Sequence, residues 1–586
     1  MSKNWKIAQA EILTRWARDI SPDDVLPEYP RPQCQRSEWI SLNGLWDYAI
    51  LPRKKQMAKN FEGNILVPFP VESALSGVKR KLTHKERLWY KRTFKIPNNW
   101  NDKRILIHFG AVDWQCEIWV NKTHIGSHKG GYVPFSFDIT VSVKKTEENE
   151  IIVAVWDPTD KKGYPRGKQK LKAYGIWYTP ASGIWQTVWL EPVPHRYIEH
   201  FKMNPDIDSA ELGLNINVVN FQEGDKVVIT AKEGENTIAE ISGTNLEDLK
   251  VPIPDPKLWS PDSPFLYDLF IQLVHEGGII DEIQSYFGMR KISILKDTEG
   301  NKRLAINNEI LFQYGPLDQG YWPDGIYTAP TDEALKYDIE ITKELGFNMI
   351  RKHVKVEPAR WYYWCDKLGV LVWQDMPSGG KTGLLRMVYG LLKSRKSKDY
   401  ERPKHEQEIY YQELRDMVES FYNYPSIVVW VPFNEGWGQF ESEKTLKFVR
   451  KLDSSRLIDL ASGWFDHRIG DIADCHKYVG PCFPNNLERR VPVCGEFGGL
   501  GFEVEGHLWP KKLKFVYKKF KNAKELESFY SDLISKLEGL KQKGLAAAVY
   551  TQITDVEGEV NGLLTYDREV LKMDRHKLHD INSSLY

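Results

Sequence analysis

The sequence predicts a multidomain chain: an antiparallel β-sandwich, a smaller immunoglobulin-like β-sandwich and a (β/α)8 TIM barrel. Three observations predict it. At 586 residues the chain is longer than one hydrophobic core can organise. Its first half reads as short strands of alternating polarity separated by turn signals. After Arg290 the pattern changes, and apolar runs alternate with helix-period segments to the end of the chain, as in a parallel sheet wrapped by helices. The boundaries expected from these shifts are 1–194, 195–292 and 293–586.

The first forty residues hold Pro22, Pro27, Pro30 and Pro32, an extended lead-in. Strands are predicted at 45–48, 89–96, 104–109, 117–120 and 151–156. Pro97-Asn98-Asn99 and Gly130-Gly131 mark turns between them. In the second domain, 212–219 and 226–230 alternate with period two. Prolines at 256, 261 and 264 precede a further strand at 266–271. In the third, helices are expected at 332–345, behind a Thr331 N-cap, and at 358–368, 407–422, 443–452 and 528–541. Strands are expected at 348–351, 370–373, 427–431, 457–460, 491–494 and 545–551. A doubly wound sheet is disfavoured because no glycine-rich phosphate loop follows an early strand. Gly379-Gly380-Lys381-Thr382 lacks the earlier glycine of a nucleotide loop. Residues 379–400 read as a loop insertion near the mouth that sets specificity or forms a subunit contact.

Lys+Arg and Asp+Glu both number 80, so no basic surplus points to nucleic acid. Lysine pairs such as Lys511-Lys512 and Lys518-Lys519 read as solvated helix faces. Six scattered cysteines contain no CxxC pair, which supports neither a zinc site nor a disulfide framework. The first twenty residues carry charge throughout and no signal-like apolar core, and no apolar run reaches the length of a membrane span. No membrane association and a cytoplasmic location are therefore expected. The 21 tryptophans suit stacking on sugar faces, and the large sandwich faces suit a homo-oligomer.

The most informative segment is Ile427-Val428-Val429-Trp430-Val431-Pro432-Phe433-Asn434-Glu435. A buried parallel strand runs straight into a carboxylate, and a barrel keeps its chemistry at the C-terminal ends of its strands. Val493-Cys494-Gly495-Glu496 repeats the arrangement. Reading the other strand ends in order adds Arg351, His353, Asp375, Trp464, His476, Tyr478, Gln552 and Asp555. Two carboxylates at one mouth are what glycoside hydrolysis requires, one as a proton donor and one ionised as nucleophile. No HExxH and no GxSxG is present, which disfavours a zinc hydrolase and a serine triad. No cofactor and no metal are expected.

The segments Trp89-Tyr90-Lys91-Arg92-Thr93-Phe94, Trp119-Val120-Asn121-Lys122 through Gly130-Gly131-Tyr132 to Asp138-Ile139-Thr140, and Leu258-Trp259-Ser260-Pro261 with Phe287-Gly288-Met289-Arg290 resemble glycoside hydrolase family 2. The likeness covers nearly all of the chain after residue 39. It implies a sugar-binding-like jelly-roll β-sandwich for the first domain, an immunoglobulin-like second domain and a catalytic barrel. It also implies a retaining reaction, with Glu496 as nucleophile, Glu435 as acid and then base, Asn434 on the sugar 2-hydroxyl and Tyr478 beside the nucleophile. Trp437 suits a stacking platform. The β-glucuronidase Asn-x-Lys element has no clear counterpart, since the region reads Asn561-Gly562-Leu563, and the arginine strand continues as Arg351-Lys352-His353-Val354-Lys355. The expected substrate is an oligosaccharide or glycoside with a terminal β-linked sugar, β-galactosidase-like in specificity. β-Glucuronidase or β-mannosidase specificity is the close alternative, and a non-catalytic carbohydrate-binding protein is the alternative of another class.

Overall fold

The computed structural model describes residues 5–380, 399–485, 487–510 and 514–586. Residues 381–398, most of the expected insertion, lie outside the described residues, as does Lys511-Lys512. Of the other lysine pair, Lys518 and Lys519 form a short strand rather than a helix face.

The first sandwich packs a six-stranded antiparallel sheet on a four-stranded one. The six-stranded order is Gly63–Val67, Gly44–Pro52, Glu86–Phe94, Asn149–Trp156, Gln115–Val120 and Thr123–Lys129. Gln115–Val120 alternates half-buried and buried positions, so Cys116, Ile118 and Val120 enter the core with Trp46, Tyr90 and Ile107. The second sandwich pairs a three-stranded sheet with a four-stranded one around Leu212, Ile229, Leu269 and Ile283. Its strand Asp225–Glu233 keeps the same two-residue rhythm.

The remaining chain builds the barrel. Its parallel strands are β1 (Gln313–Asp318), β2 (Met349–Lys352), β3 (Leu371–Asp375), β4 (Ile427–Val431), β5 (Leu457–Ile458), β6 (Ile472–Tyr478), β7 (Val491–Gly498) and β8 (Ala547–Thr551). They form one eight-stranded sheet in the order β5-β4-β3-β2-β1-β8-β7-β6. The ladder is open between β5 and β6. There the short pair Phe433–Asn434 and Ala461–Ser462 continues the wall beyond β4 and β5. β3, β4 and β8 are buried at every position, as strands covered on both faces must be. Leu304 and Ile306, from a three-stranded antiparallel sheet just before β1, join the core of Leu317, Met349, Val429 and Val549.

The described helices around the barrel are α1 (Asp332–Glu344), α2 (Ala359–Leu368), α3 (Lys404–Ser420), α4 (Ser442–Leu452), α5 (Ala523–Gln542) and α6 (Arg575–Ser583). Thr331 caps α1 by accepting from the Ala334 amide, and Asn522 caps α5 through Glu525. α2 stops at Gly369, whose φ of +71° suits only glycine comfortably. Among the described residues no helix is long and apolar enough to cross a membrane. A further expectation fails: Cys475 and Cys482 form a disulfide, bringing together residues that carry no sequence signature for it.

Candidate active site

The all-apolar β4 delivers Glu435 to the C-terminal mouth. The Glu435 amide donates to the Ser462 carbonyl at 2.9 Å, and its left-handed φ of +49° turns the chain sharply off the wall. That conformation costs about 1–3 kcal/mol for a residue with a side chain and persists only where the surroundings enforce it. Glu496 lies within β7, directly paired with His476 of β6. Gly495 makes room for this arrangement, because a Cβ there would stand 2.0 Å from Asp474 Oδ2. Without one, the Gly495 amide donates to Asp474. Glu435 and Glu496 are both buried, and one carboxylate oxygen of each lies within 4.8 Å of the other and of a His476 ring nitrogen.

His476 links the two carboxylates. Its Nδ1 lies 3.0 Å from Glu435 and 3.5 Å from Glu496, and its Nε2 lies 2.9 Å from Ser462 Oγ. Burial works against its charged form, but Glu496, Asp474 and Glu435 outweigh burial and lift it to about 10. The ring is therefore an imidazolium at neutral pH and donates from both nitrogens. Arg351 Nη1, 3.3 Å from Nε2, can only donate too, so that approach is a contact between donors rather than a hydrogen bond. Burial also works to raise the Glu496 carboxyl, but the charges of His476, His353, Arg351 and Lys168 hold it well below the ordinary carboxylate range. The Tyr478 hydroxyl lies 2.7 Å from Glu496 and 3.1 Å from Glu435, and its ring stacks on Tyr517 at 3.6 Å.

Arg351 organises the floor. It grips Asp375 with two bonds of 3.0 Å, reaches Glu496 at 3.4 Å and donates to Asn434 Oδ1 at 2.8 Å. Because the guanidinium has no acceptor, the Asn434 carbonyl oxygen must face it. The amide nitrogen then turns the other way and has no partner among the described residues. His353 Nδ1 lies 3.0 Å from Asp375, so Asp375 serves as the anchor of Arg351 and His353. Trp437 packs beside His353 and, at 5.1 Å, against Trp177 of the first sandwich, and its indole nitrogen has no partner among the described residues.

Other expected residues sit differently. Trp464 is half-buried, 6.4 Å from the His476 ring. Gln552 bonds Gln319 and Asn561, and no hydrogen bond ties it to either glutamate. Asp555 accepts from Lys572 at 2.6 Å, and burial pushes its carboxyl up to about 6. Its Oδ1 also accepts from the Gly562 amide and so anchors a loop, while its Oδ2 has no partner among the described residues. Sequence reading missed Asp474, Tyr517, Trp177 and Lys168, the last two because the sandwich that carries them is remote in sequence from the barrel. Glu435, His476 and Glu496 also have the spacing of a three-ligand metal set, but the protonated imidazole and the adjoining Arg351 disfavour a cation there.

Sequence comparison matches the description "Glycosyl hydrolases family 2, sugar binding domain" at residues 33–192, the family's second domain at 196–290 and its TIM barrel domain at 328–489. The chain belongs to glycosyl hydrolase family 2. It is 25% identical over 444 residues to a β-galactosidase of Thermoanaerobacter pseudethanolicus, covering 72% of this chain and 54% of that protein. It is 23% identical to a β-glucuronidase of Paenibacillus borealis, covering 74% of this chain and 73% of that one. The chain thus spans about half the length of the first of these relatives. In fold it is similar to a β-D-glucuronidase from Dictyoglomus thermophilum, with a TM-score of 0.74, 19% identity and coverage of 94% and 98% of the two chains. A β-glucuronidase from Ruminococcus gnavus aligns with a TM-score of 0.75 at 17% identity, covering 95% and 99%. The family match and these neighbours agree with the sandwich, sandwich and barrel architecture.

Proposed function

We propose that this chain is a retaining exo-β-glycosidase. The observation that carries the reading is the pair of buried carboxylates, Glu435 and Glu496, with oxygens within 4.8 Å of each other at the mouth of the barrel. Retaining enzymes hold their carboxyl groups about 5–5.5 Å apart, whereas inverting enzymes leave roughly 6.5–9.5 Å for a water. Glu496, held ionised by its cationic neighbours, attacks the anomeric carbon. The bond to the leaving oxygen breaks as that oxygen takes the proton of Glu435. In the second step Glu435 removes a proton from water, the water oxygen attacks the anomeric carbon, and the ester to Glu496 breaks. The unpaired Asn434 amide suits the sugar 2-hydroxyl, and Tyr478 holds Glu496 in place.

The relatives are named both β-galactosidase and β-glucuronidase, so the sugar must be read from the charges that line the mouth. β-Galactoside specificity is the expectation from sequence, and a β-glucuronide is at least as well supported by the relatives and structural neighbours. The test is a panel of nitrophenyl β-glycosides with the wild type, Glu435→Gln and Glu496→Gln. Each variant is expected to lose about a thousandfold or more in rate, a barrier change of about 4 kcal/mol. Full activity in Glu496→Gln would remove it as the nucleophile. A wild type that binds sugars and turns over none would instead be a carbohydrate-binding protein on this scaffold. NMR of the first-formed product anomer checks retention directly.

A further inference from the structure

Residues 161–172 carry Lys161, Lys162, Arg166, Lys168, Lys170 and Lys172 and no carboxylate. They belong to a strap of the first sandwich that lies on the barrel mouth. The strap is fastened at several points. The Gly163 amide donates to Glu406 at 3.1 Å, the Thr179 amide donates to Glu557 at 2.7 Å, and the Tyr178 hydroxyl donates to Glu559. A Cβ on Gly167 would stand 2.5 Å from the Val354 carbonyl, so the strap backbone touches the barrel one residue beyond His353. Trp177 packs on Trp437 at the same place.

Lys168 therefore stands at the wall of the mouth, with its ammonium 5.5 Å from the Tyr178 ring. Four lysines are buried among the described residues: Lys168, Lys352, Lys355 and Lys572. Three of them have carboxylate partners, Lys352 and Lys355 on Glu357 and Lys572 on Asp555. The Lys168 ammonium alone of the four has no hydrogen-bond or ion-pair partner among the described residues, although only 6% of the residue is exposed. A buried ammonium is expensive unless something anionic meets it. Its charge acts on Glu496 and His353, and the neighbouring Gly167 lies against the Val354 carbonyl, one residue beyond His353. After β8, Lys572 is neutralised by Asp555, and Asn561 is tied to Gln552 and Glu559. Among the described residues, residues 552–572 leave no free lysine for an acidic sugar.

We propose that Lys168 pairs with the carboxylate of a hexuronic acid bound at the mouth, so that β-linked uronides are the substrates this site selects. For the reaction the proposal rests on the glycosidase reading above. For the sugar it rests on the strap. The competing role for Lys168 is only to keep Glu496 ionised, which would affect every sugar alike.

The experiment compares nitrophenyl β-glucuronide and β-galacturonide with the matching glucoside and galactoside, for the wild type, Lys168→Met and Lys168→Arg. At least one uronide is expected to exceed its neutral counterpart in kcat/KM, and Lys168→Met is expected to cut that ratio by about 30-fold or more. Lys168→Arg keeps part of the preference, because the charge remains. A neutral sugar preferred by the wild type, or a ratio unchanged in Lys168→Met, would overturn the proposal. Calorimetric binding of methyl β-glucuronide and methyl β-galacturonide, against their neutral methyl glycosides, repeats the comparison without turnover. A chain that hydrolyses nothing but binds a uronide through Lys168 refutes the hydrolase reading and keeps this one. A chain that hydrolyses neutral glycosides and binds uronides no better does the reverse.

Discussion

Replacing His476 by Asn removes the positive charge that lies 3.5 Å from Glu496 and 3.0 Å from Glu435. At 3.5 Å and an effective permittivity of about 20, two unit charges interact by about 5 kcal/mol, or roughly three pK units. Arg351 still reaches Glu496, and water entering beside the smaller amide screens part of what is lost, so a rise of about one to two units in the Glu496 carboxyl is expected. The sign follows from the charge. A carboxylate held below its ordinary value stays ionised until the pH falls through the lowered value, so losing the cation moves deprotonation to higher pH. The assay is kcat/KM against pH, from about pH 3 to pH 10, for a glycoside with an activated leaving group, because this ratio reports ionisations of the free enzyme. The acid limb should move upward in His476→Asn. The wild type should also lose activity as His476 itself titrates near about 10, a limb that the variant lacks. An acid limb that stays in place while the rate falls would refute the electrostatic role of His476 and leave it a packing residue.

Arg351→Met leaves Asp375 buried without its bidentate partner and frees the Asn434 amide to rotate. A loss of about 3–5 kcal/mol is expected, read as a lower transition in calorimetry, with Arg351→Lys unable to restore the fork. Asn522→Ala removes the cap that accepts from Glu525 and should cost about 1 kcal/mol in thermal unfolding without altering kinetics. Trp437→Leu removes the ring packed between Trp177 and His353. It should raise KM about tenfold while changing kcat less, which steady-state kinetics separates.

How much of this was legible in the sequence depended on chemistry at each strand. β4 was legible because its five apolar residues form a short β-branched and aromatic run, which favours a strand covered on both faces over a buried helix. The same logic carried Glu435 and Glu496, because a carboxylate after such a run has only the mouth to occupy. β1 was not legible, because Gln313-Tyr314-Gly315-Pro316-Leu317-Asp318 interrupts its apolar character with glycine, proline and polar ends. Its backbone is held instead by the neighbouring strands β2 and β8. β6 mixes Asp474, His476 and Lys477 into a strand, so sequence marks His476 and Tyr478 there but not the strand itself. α6, polar over most of its length, escaped for the same reason. The Asp474 bridge and the strap depend on contacts between residues far apart along the chain or on facing strands, and the disulfide on a loop that folds Cys482 back to Cys475 seven residues earlier; local periodicity encodes neither.

The strap changes how the three-part architecture should be understood. Its fastenings place Glu406, Glu557 and Glu559 of the barrel under amides and a hydroxyl of the first sandwich, all of them in buried positions. Separating the two bodies would strip those hydrogen-bonded partners from buried carboxylates, a loss that accumulates with each group. The sandwich is thereby held to the barrel by polar contacts that act only in one relative position. The chemistry-bearing glutamates come from barrel strands, whose ends a continuous sheet fixes tightly. Lys168, proposed to meet the sugar, and Trp177, which backs Trp437, come from a loop on another domain. On the proposed reading, reaction and selectivity are carried by different parts of the chain, so the two carboxylates can stay in place while substitutions in residues 161–172 change which sugar they act on.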